Sequence, residues 1–354
     1  MNYKICDLSQ KKEWKKYLEL LPISQQDIYF TPEYYELYET KGDGKAQCFV
    51  FKDNGDIALY PFLENSINEL GYKLNDKYCD IQGTYGYNGV ASSSYNMEFQ
   101  RKFFNLFTEY CKENNIIAEF TRFNPILENH KFSNYLNVIK NNQNIILDLS
   151  IKDIWMNCYE RAARKNINKA IRNELKVKYF SGFEITNYYI RKFFDIYMDT
   201  MTRNSADDFY YFNKEYFQEI ARKLLKNALY FFTFKDEIAI SCELVLLSKK
   251  IGYSFLGGTL SKYFEFRPND ILKHEIINVL KQRQYNYFCL GGGSSVDDGI
   301  FNYKKKFAKN GIFDFYVGKK IHNQQTYDKV VKQWEEKNPE KKEKYKNYLL
   351  KYRK

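Results

Sequence analysis

Apolar and polar positions along the chain fall into one order of elements that occurs twice. In the first half, QCFVFKDNGDIALYPFL sets two apolar runs on either side of Asn54-Gly55, the pattern of a β-hairpin closed by a tight turn. A tyrosine–glycine segment, GTYGYNG, follows. Over residues 95–115 the apolar residues Phe99, Phe103, Leu106, Phe107 and Tyr110 recur at helical spacing, which predicts a helix with one apolar face. The run IIAEFTRF then reads as a strand. In the second half, ALYFFTFKDEIAISCELVLL repeats the hairpin around Lys235-Asp236, and GYSFLGGTL adds a strand running into two glycines. Residues 269–284 predict a helix with Leu272, Ile276, Val279 and Leu280 on one face and Asn269 as its N-cap. YNYFCLGGG closes this half as a strand.

The two copies are offset by about 170 to 180 residues, too far for a solenoid repeat, so the pattern predicts a tandem duplication of one α/β domain. Between the hairpins, residues 153–174 predict a helix that is basic on one side through Arg161, Arg164, Lys165, Lys169 and Arg172. Residues 184–203 predict an amphipathic helix with Ile190, Phe193, Phe194, Tyr197 and Met201 apolar. NNQNIILDLS reads as the last strand of the first domain. The expected division is a first domain over residues 1–149, a second over 150–320, and a charged helical tail over 321–354 that would pack back on the first domain.

Length and composition agree with two domains: 354 residues at 44% hydrophobic content can supply a core for each. Many of the 33 tyrosines and 29 phenylalanines are expected to be packing residues. The net charge of +11 suits a phosphate-rich partner, whether nucleic acid, a nucleotide-linked substrate or a membrane surface. It equally fits a lysine-rich solvated surface, to which the tail contributes. Seven widely spaced cysteines without a C-x-x-C point to reduced thiols rather than a disulfide framework or zinc site. The N-terminal residues lack the apolar core of a signal peptide, and no apolar run approaches the ~20 residues of a membrane span, so the expected location is cytoplasmic.

The candidate chemistry emerges partly by elimination. His130, His274 and His322 fall in no metal-ligand spacing, and no metal is expected. His274 is placed on the polar side of its helix beside Lys273 and Glu275, and triad hydrolysis is disfavoured. Neither usual glycine-rich phosphate loop is present. Asp297-Asp298 reads either as a magnesium pair or, more commonly for such a pair, as a turn and helix start. What stands out is LGGGSSVDDGIFNYKKKFA, residues 290–308. Glycines at a strand end allow a substrate to approach backbone N–H groups, and a lysine beyond them can meet a phosphate or an oxyanion. The alternative is a turn followed by solvent-facing lysines.

Four stretches of the second half carry a family resemblance: YERAARKNINKAIRN, MDTMTRNSADDFYYFNKEYF, the G-G-T preceding an amphipathic helix, and FCLGGGSSVDDGIFNYKKKFA. In the first half TPEYYELY, GTYGYNG and FTRFNPI match more loosely. In their order and spacing these stretches resemble the Fem-type peptidyltransferases and the related GNAT-like acyltransferases of cell-surface polysaccharide synthesis. The resemblance implies an α/β (α+β) protein of two tandem GNAT-like domains, each a mixed, largely antiparallel sheet flanked by helices. It implies aminoacyl or acetyl transfer to an amine or hydroxyl of a nucleotide-activated sugar or peptidoglycan precursor.

The same resemblance implies that Lys304 is catalytic and stabilises developing negative charge, with Tyr303, Gly292 and Gly293 around it. Arg203 and Tyr211 would line the site, Tyr87 and Arg122 would be the first domain's contribution, and Arg164 and Lys165 would face an aminoacyl-tRNA. No cofactor is implied apart from the acyl donor, either aminoacyl-tRNA or acetyl-coenzyme A, so tRNA is a further expected partner. The chain departs from the family pattern at Tyr303 and at Ala308. The place of the coenzyme A pyrophosphate loop, KYFEFRPND at residues 262–270, has no glycine, and Ala91-Ser92-Ser93-Ser94 also lacks the pattern. A non-catalytic RNA-binding protein on a twin GNAT fold is the alternative reading.

Overall fold

The structure is a computed structural model that describes residues 3–133, 135–293 and 298–354. Its elements run β1 (Tyr3–Asp7), α1 (Lys11–Glu19), α2 (Pro32–Lys41), β2 (Lys45–Asp53), β3 (Asp56–Ser66), β4 (Cys79–Gln82), β5 (Ala91–Ser92), α3 (Met97–Glu113), β6 (Ile116–Arg122) and β7 (Asn137–Asp148). They continue as α4 (Ile154–Asn157), α5 (Arg161–Arg172), β8 (Lys176–Ser181), α6 (Asn187–Arg203), α7 (Lys214–Leu224), β9 (Ala228–Lys235), β10 (Ile238–Leu247) and β11 (Ile251–Thr259). The chain closes with α8 (Pro268–Gln282), β12 (Tyr287–Gly291), α9 (Gly299–Lys305), β13 (Ile312–Ile321) and α10 (Gln324–Lys337). Two compact units result, Met1–Asn141 with Phe315–Lys354 and Asn142–Asp314. Against the expected limits of 149 and 320, the chain passes between units within β7 and again within β13.

In the first unit the strands lie in the order β1-β2-β3-β4-β6-β13, with β5 on β3. Neighbours are antiparallel except β4 and β6, which are parallel. A parallel neighbour needs a crossover, and α3 supplies it. The Asn96 side chain caps α3 by accepting from the N–H groups of Glu98 and Phe99. Its Phe99, Phe103, Phe107 and Tyr110 face packs against Phe49, Phe51 and Tyr60 of the β2–β3 hairpin, while Leu106 is only partly buried. The C-terminal segment completes this unit. Tyr327, Val330 and Trp334 of α10 pack with Ile67, Ile117 and Ala118. At the end of the chain, Tyr352 Oη and Arg353 Nε donate to the fully buried Asp80 carboxylate at 2.8 and 2.7 Å.

The second unit repeats the plan in the order β7-β12-β11-β10-β9-β8. Its one parallel pair among the described residues is β11 with β12, and α8 is the crossover. NNQNIILDLS therefore does not end the first domain: residues 145–148 pair with β12. The second hairpin turns at Asp236-Glu237, one residue later than the sequence pattern placed it, with Lys235 paired to Ile238. The helix expected over residues 153–174 is broken into α4 and α5. Arg164 Nη1 donates to the Tyr159 and Trp155 carbonyls at 2.6 and 3.1 Å, which satisfies the carbonyls freed by the break. Helix α8 starts at Pro268 after Arg267, not at Asn269; proline suits a first helical position because no N–H is needed there.

Candidate active site

Strands β11 and β12 are hydrogen-bonded over three residue pairs only: Ile251 with Tyr287, Gly252 with Phe288 and Tyr253 with Cys289. Beyond that point β11 runs on to Thr259, while β12 ends at Gly291. The backbone N–H and C=O groups facing the opening are thus released from the ladder. Helix α9 stands next to it, started by Asp298, whose side chain accepts from Phe301 N–H at 2.7 Å. Residues 294–297, including Asp297, lie outside the described residues.

Lys304 reaches back from α9 and donates through Nζ to the Gly292 carbonyl at 2.6 Å. Burial lowers its ammonium from the ordinary 10.5 to about 8, and the Lys273 ammonium pushes the same way. Cys289, Glu243 and Asp298 oppose the shift. The reading of Lys304 as a solvent-facing lysine is thereby set aside. Lys273 was expected on a polar helix face, yet it is 3% exposed. It donates to both oxygens of Glu243 on β10 at 2.5 and 2.6 Å and to Ser254 Oγ on β11 at 3.1 Å. Its ammonium also lies 5.4 Å from the Phe288 ring of β12. His274 is likewise half-buried, its Nδ1 3.1 Å from Tyr159 Oη, and burial lowers its ring's proton affinity.

Several expected contacts with substrate are spent inside the protein. A Cβ at Gly292 would lie 2.6 Å from the Gln143 carbonyl, and one at Gly293 would collide with the Asp298 carboxylate. At both glycines protein atoms occupy the space a side chain would need. Tyr303 donates to the Asn269 carbonyl at 3.0 Å and packs on the core, which makes it a support for α9. Arg164 is engaged with the α4 carbonyls described above. Arg203 donates to the Thr259 carbonyl at 2.9 Å and stacks on Phe264, at the far end of β11, and Tyr211 Oη donates to the Met201 carbonyl at 3.3 Å. In the first unit Tyr87 is buried edge-on to Tyr29 and Phe315, and the Arg122 guanidinium lies 5.9 Å from the rings of Tyr85 and Phe315.

Lys165 has a different setting. With Ala162, Asn166, Lys169, Arg172, Arg267 and Lys306 it lines a cavity of about 460 Å³ in the second unit. Five of these seven residues are cationic and none is acidic, so the cavity's lining is strongly positive. Asp270 lies buried nearby and accepts from Asn166 at 3.1 Å. Burial raises its carboxyl's proton affinity, while Asn166, Arg267 and Lys306 pull it down. Arg267 stands where the glycine-free segment 262–270 meets α8, in the left-handed region at φ 61°.

In the first unit, Cys111, Glu119 and His322 bring possible ligand atoms within 4.8 Å of one another, which sequence spacing did not reveal. His322 Nε2 and Tyr135 Oη each meet Glu119 Oε2 at 2.7 Å, and Tyr60 Oη reaches Oε1 at 3.2 Å. Metal–ligand bonds of about 2.0–2.2 Å would hold nitrogen and oxygen farther apart than this hydrogen bond does. The cluster is a satisfied hydrogen-bond network.

Residues 161–305 match the acetyltransferase (GNAT) domain family. No curated protein matches the sequence. Similar solved structures include FemX, at 13% identity and a TM-score of 0.68, covering 93% of this chain and 99% of that one. The L-PGS of Bacillus licheniformis aligns at 12% identity and a TM-score of 0.58, covering 90% and 95%. A tandem GNAT protein from the clavulanic acid biosynthesis pathway aligns at 7% identity and a TM-score of 0.50, covering 90% and 98%. The fold is similar to that of FemX and of a tandem GNAT protein, and the acetyltransferase (GNAT) domain match lies within the second unit. Among the described residues no helix is long and apolar enough to cross a membrane.

Proposed function

We propose that the chain transfers an aminoacyl or acetyl group to an amine or hydroxyl of a phosphate-bearing acceptor, a nucleotide-activated sugar or peptidoglycan precursor of the cell envelope. The observation that carries this reading is the Lys304 ammonium, held on the Gly292 carbonyl where β11 and β12 separate. As the acceptor attacks the acyl carbonyl, negative charge gathers on its oxygen. A fixed donor beside that oxygen, in a partly dehydrated place, stabilises the transition state more than the ground state. The new C–N or C–O bond forms, the ester or thioester bond breaks, and the proton lost by the acceptor ends on the leaving oxygen or sulfur. Lys304 serves as ammonium, so the activity belongs to pH values below about 8.

The five-cation cavity supports a polyphosphate substrate. Its side chains would meet phosphates without the close backbone approach of a glycine loop, which favours aminoacyl-tRNA over acetyl-coenzyme A as donor. The test is transfer of labelled acyl groups from each donor to nucleotide sugars and peptidoglycan precursors. Lys304→Met is expected to lower kcat about 10²–10³-fold, the loss typical of one oxyanion donor. A folded variant at the normal rate would refute the role. Salt-steep RNA binding with no acyl product from any donor would favour the RNA-binding alternative instead.

A further inference from the structure

Leu225 is held in an unusual backbone conformation. It ends helix α7 at φ 42° and ψ −111°, and among the described non-glycine residues at positive φ it is the one apolar side chain. A branched side chain is strained there, where glycine would not be. The turn itself is fixed by its surroundings: the Leu225 carbonyl accepts from Gly182 N–H at 2.9 Å and from Ala228 N–H. Yet the leucine gains little burial in return, being 47% exposed. Gly182 packs so closely on the end of α7 that a Cβ would lie 2.6 Å from the Ala221 carbonyl and 2.7 Å from that of Leu225. Phe183 follows it at the same corner, and at 81% it is the most exposed large hydrophobic side chain among the described residues. Tyr188, in the first turn of α6, is 63% exposed, and α6 begins against α7 through Gln218 Nε2 and Asn187 Oδ1 at 3.1 Å.

The segments that build this corner are rich in cations. Residues 176–192 and 219–226 hold seven lysines and arginines against two acids, Glu184 and Glu219. Both acids are engaged locally: Glu184 accepts from Ser181 N–H and Oγ at 3.0 and 2.7 Å, and Glu219 accepts from Arg222 Nη2 at 2.6 Å. Lys192 Nζ lies 5.5 Å from the centre of the Tyr188 ring, and the exposed Lys226 directly follows Leu225. We propose that this corner of the second unit docks the chain on an anionic phospholipid surface. Phe183 and Leu225 enter the boundary between headgroups and acyl chains, Tyr188 stands at headgroup level, and the neighbouring ammonium and guanidinium groups meet the lipid phosphates. A second copy of the chain would bring the same positive charge against itself. A nucleic acid would stack on the rings and leave Leu225 without a role. The inference goes beyond the acyl-transfer reading and does not need it, since vesicle binding requires neither donor nor acceptor.

The test is co-sedimentation of the full chain with vesicles of phosphatidylcholine, with and without phosphatidylglycerol. Binding is expected with the anionic lipid only; no sedimentation with it, or equal sedimentation with both, would overturn the proposal. Phe183→Ser together with Leu225→Gly should weaken binding about tenfold or more. Lys192→Gln and Lys226→Gln should each weaken it about fivefold. Phe183→Trp should keep the affinity, and the added indole should shift its emission to the blue when anionic vesicles are present. Binding without that shift would place the contact elsewhere and overturn the assignment. Leu225→Gly alone should be at least as stable as the unaltered protein in thermal unfolding and should bind vesicles severalfold more weakly. A Leu225→Gly protein that is less stable yet binds as before would overturn the role of Leu225. RNA binding that the same substitutions abolish, with no vesicle binding, would overturn the proposal in favour of a nucleic-acid surface.

Discussion

Lys304→Met is expected to trade activity for stability, and the trade can be sized. In the folded protein the ammonium sits at about 8 against an ordinary 10.5. The difference of about 2.5 units, at roughly 1.4 kcal/mol each, gives about 3 kcal/mol as a ceiling on what folding loses by keeping this group charged. Methionine matches the stem of the side chain and removes the charge. It also removes the hydrogen bond to the Gly292 carbonyl, whose loss costs about 1.5 kcal/mol for a charged donor. The net expectation at pH 7 is a variant about 1 to 2 kcal/mol more stable. The native value lies below the unfolded one, so between pH 8 and pH 10.5 the unfolded chain binds the extra proton and wild-type stability climbs with pH. The variant lacks that climb. Above the window the wild type carries no buried charge, and the variant should be the less stable by about 1 kcal/mol. Urea unfolding of both proteins at intervals across this range reads the difference, in which all other titrations cancel. Parallel stability curves, or a variant destabilised at pH 7, would refute the reasoning.

Two further substitutions test the supports of the fold and site. Gly293→Ala drives a methyl group into the Asp298 carboxylate and should cost about 1–3 kcal/mol through strain and loss of the α9 cap. Thermal unfolding should show the loss, and adding Asp298→Ala should cost less than the sum of the two single changes, since both act on one contact. Arg353→Met leaves the buried Asp80 carboxylate without its cation and should destabilise by about 3–5 kcal/mol in urea unfolding. Asp80→Asn in the same chain should recover part of that loss.

What the sequence disclosed and what it hid divide along a physical line. Periodicity located the hairpins and α3 because a buried face repeats along one element, and the duplicated order followed from two such sets. It failed at Lys273 because helix α8 is covered on more than one side, so a charged residue can stand on a buried face once a partner arrives from another element. The available hint was Glu243, a carboxylate inside the apolar run ISCELVLL. At Gly292 and Gly293 a sequence does not say what fills the space of a missing side chain: here it is the Gln143 carbonyl and the Asp298 carboxylate. The same holds for Arg164, whose basic spacing is identical in kind to that of Lys165 although only Lys165 faces the cavity. Distances along a chain report on one element at a time. The anion cavity draws on α5, Arg267 and Lys306, and no local pattern joins those three.

On the proposed reading the second unit does the chemistry, and the two copies differ in a way that supports it. Each unit has a parallel strand pair bridged by a helix, β4 with β6 and β11 with β12, so the backbone plan does not distinguish them. The polar side chains do. In the first unit Glu119 of β6 is met by His322, Tyr135 and Tyr60. In the second unit the Lys304 ammonium makes one hydrogen bond among the described residues, to Gly292, while an ammonium carries three donors. That group, which burial has already made more acidic, stands where the β11–β12 ladder stops. A charge left short of partners inside a protein is costly unless a substrate or transition state supplies them. Among the described residues Glu119 of the first copy has three hydrogen-bonding neighbours, and the Lys304 ammonium of the second has one.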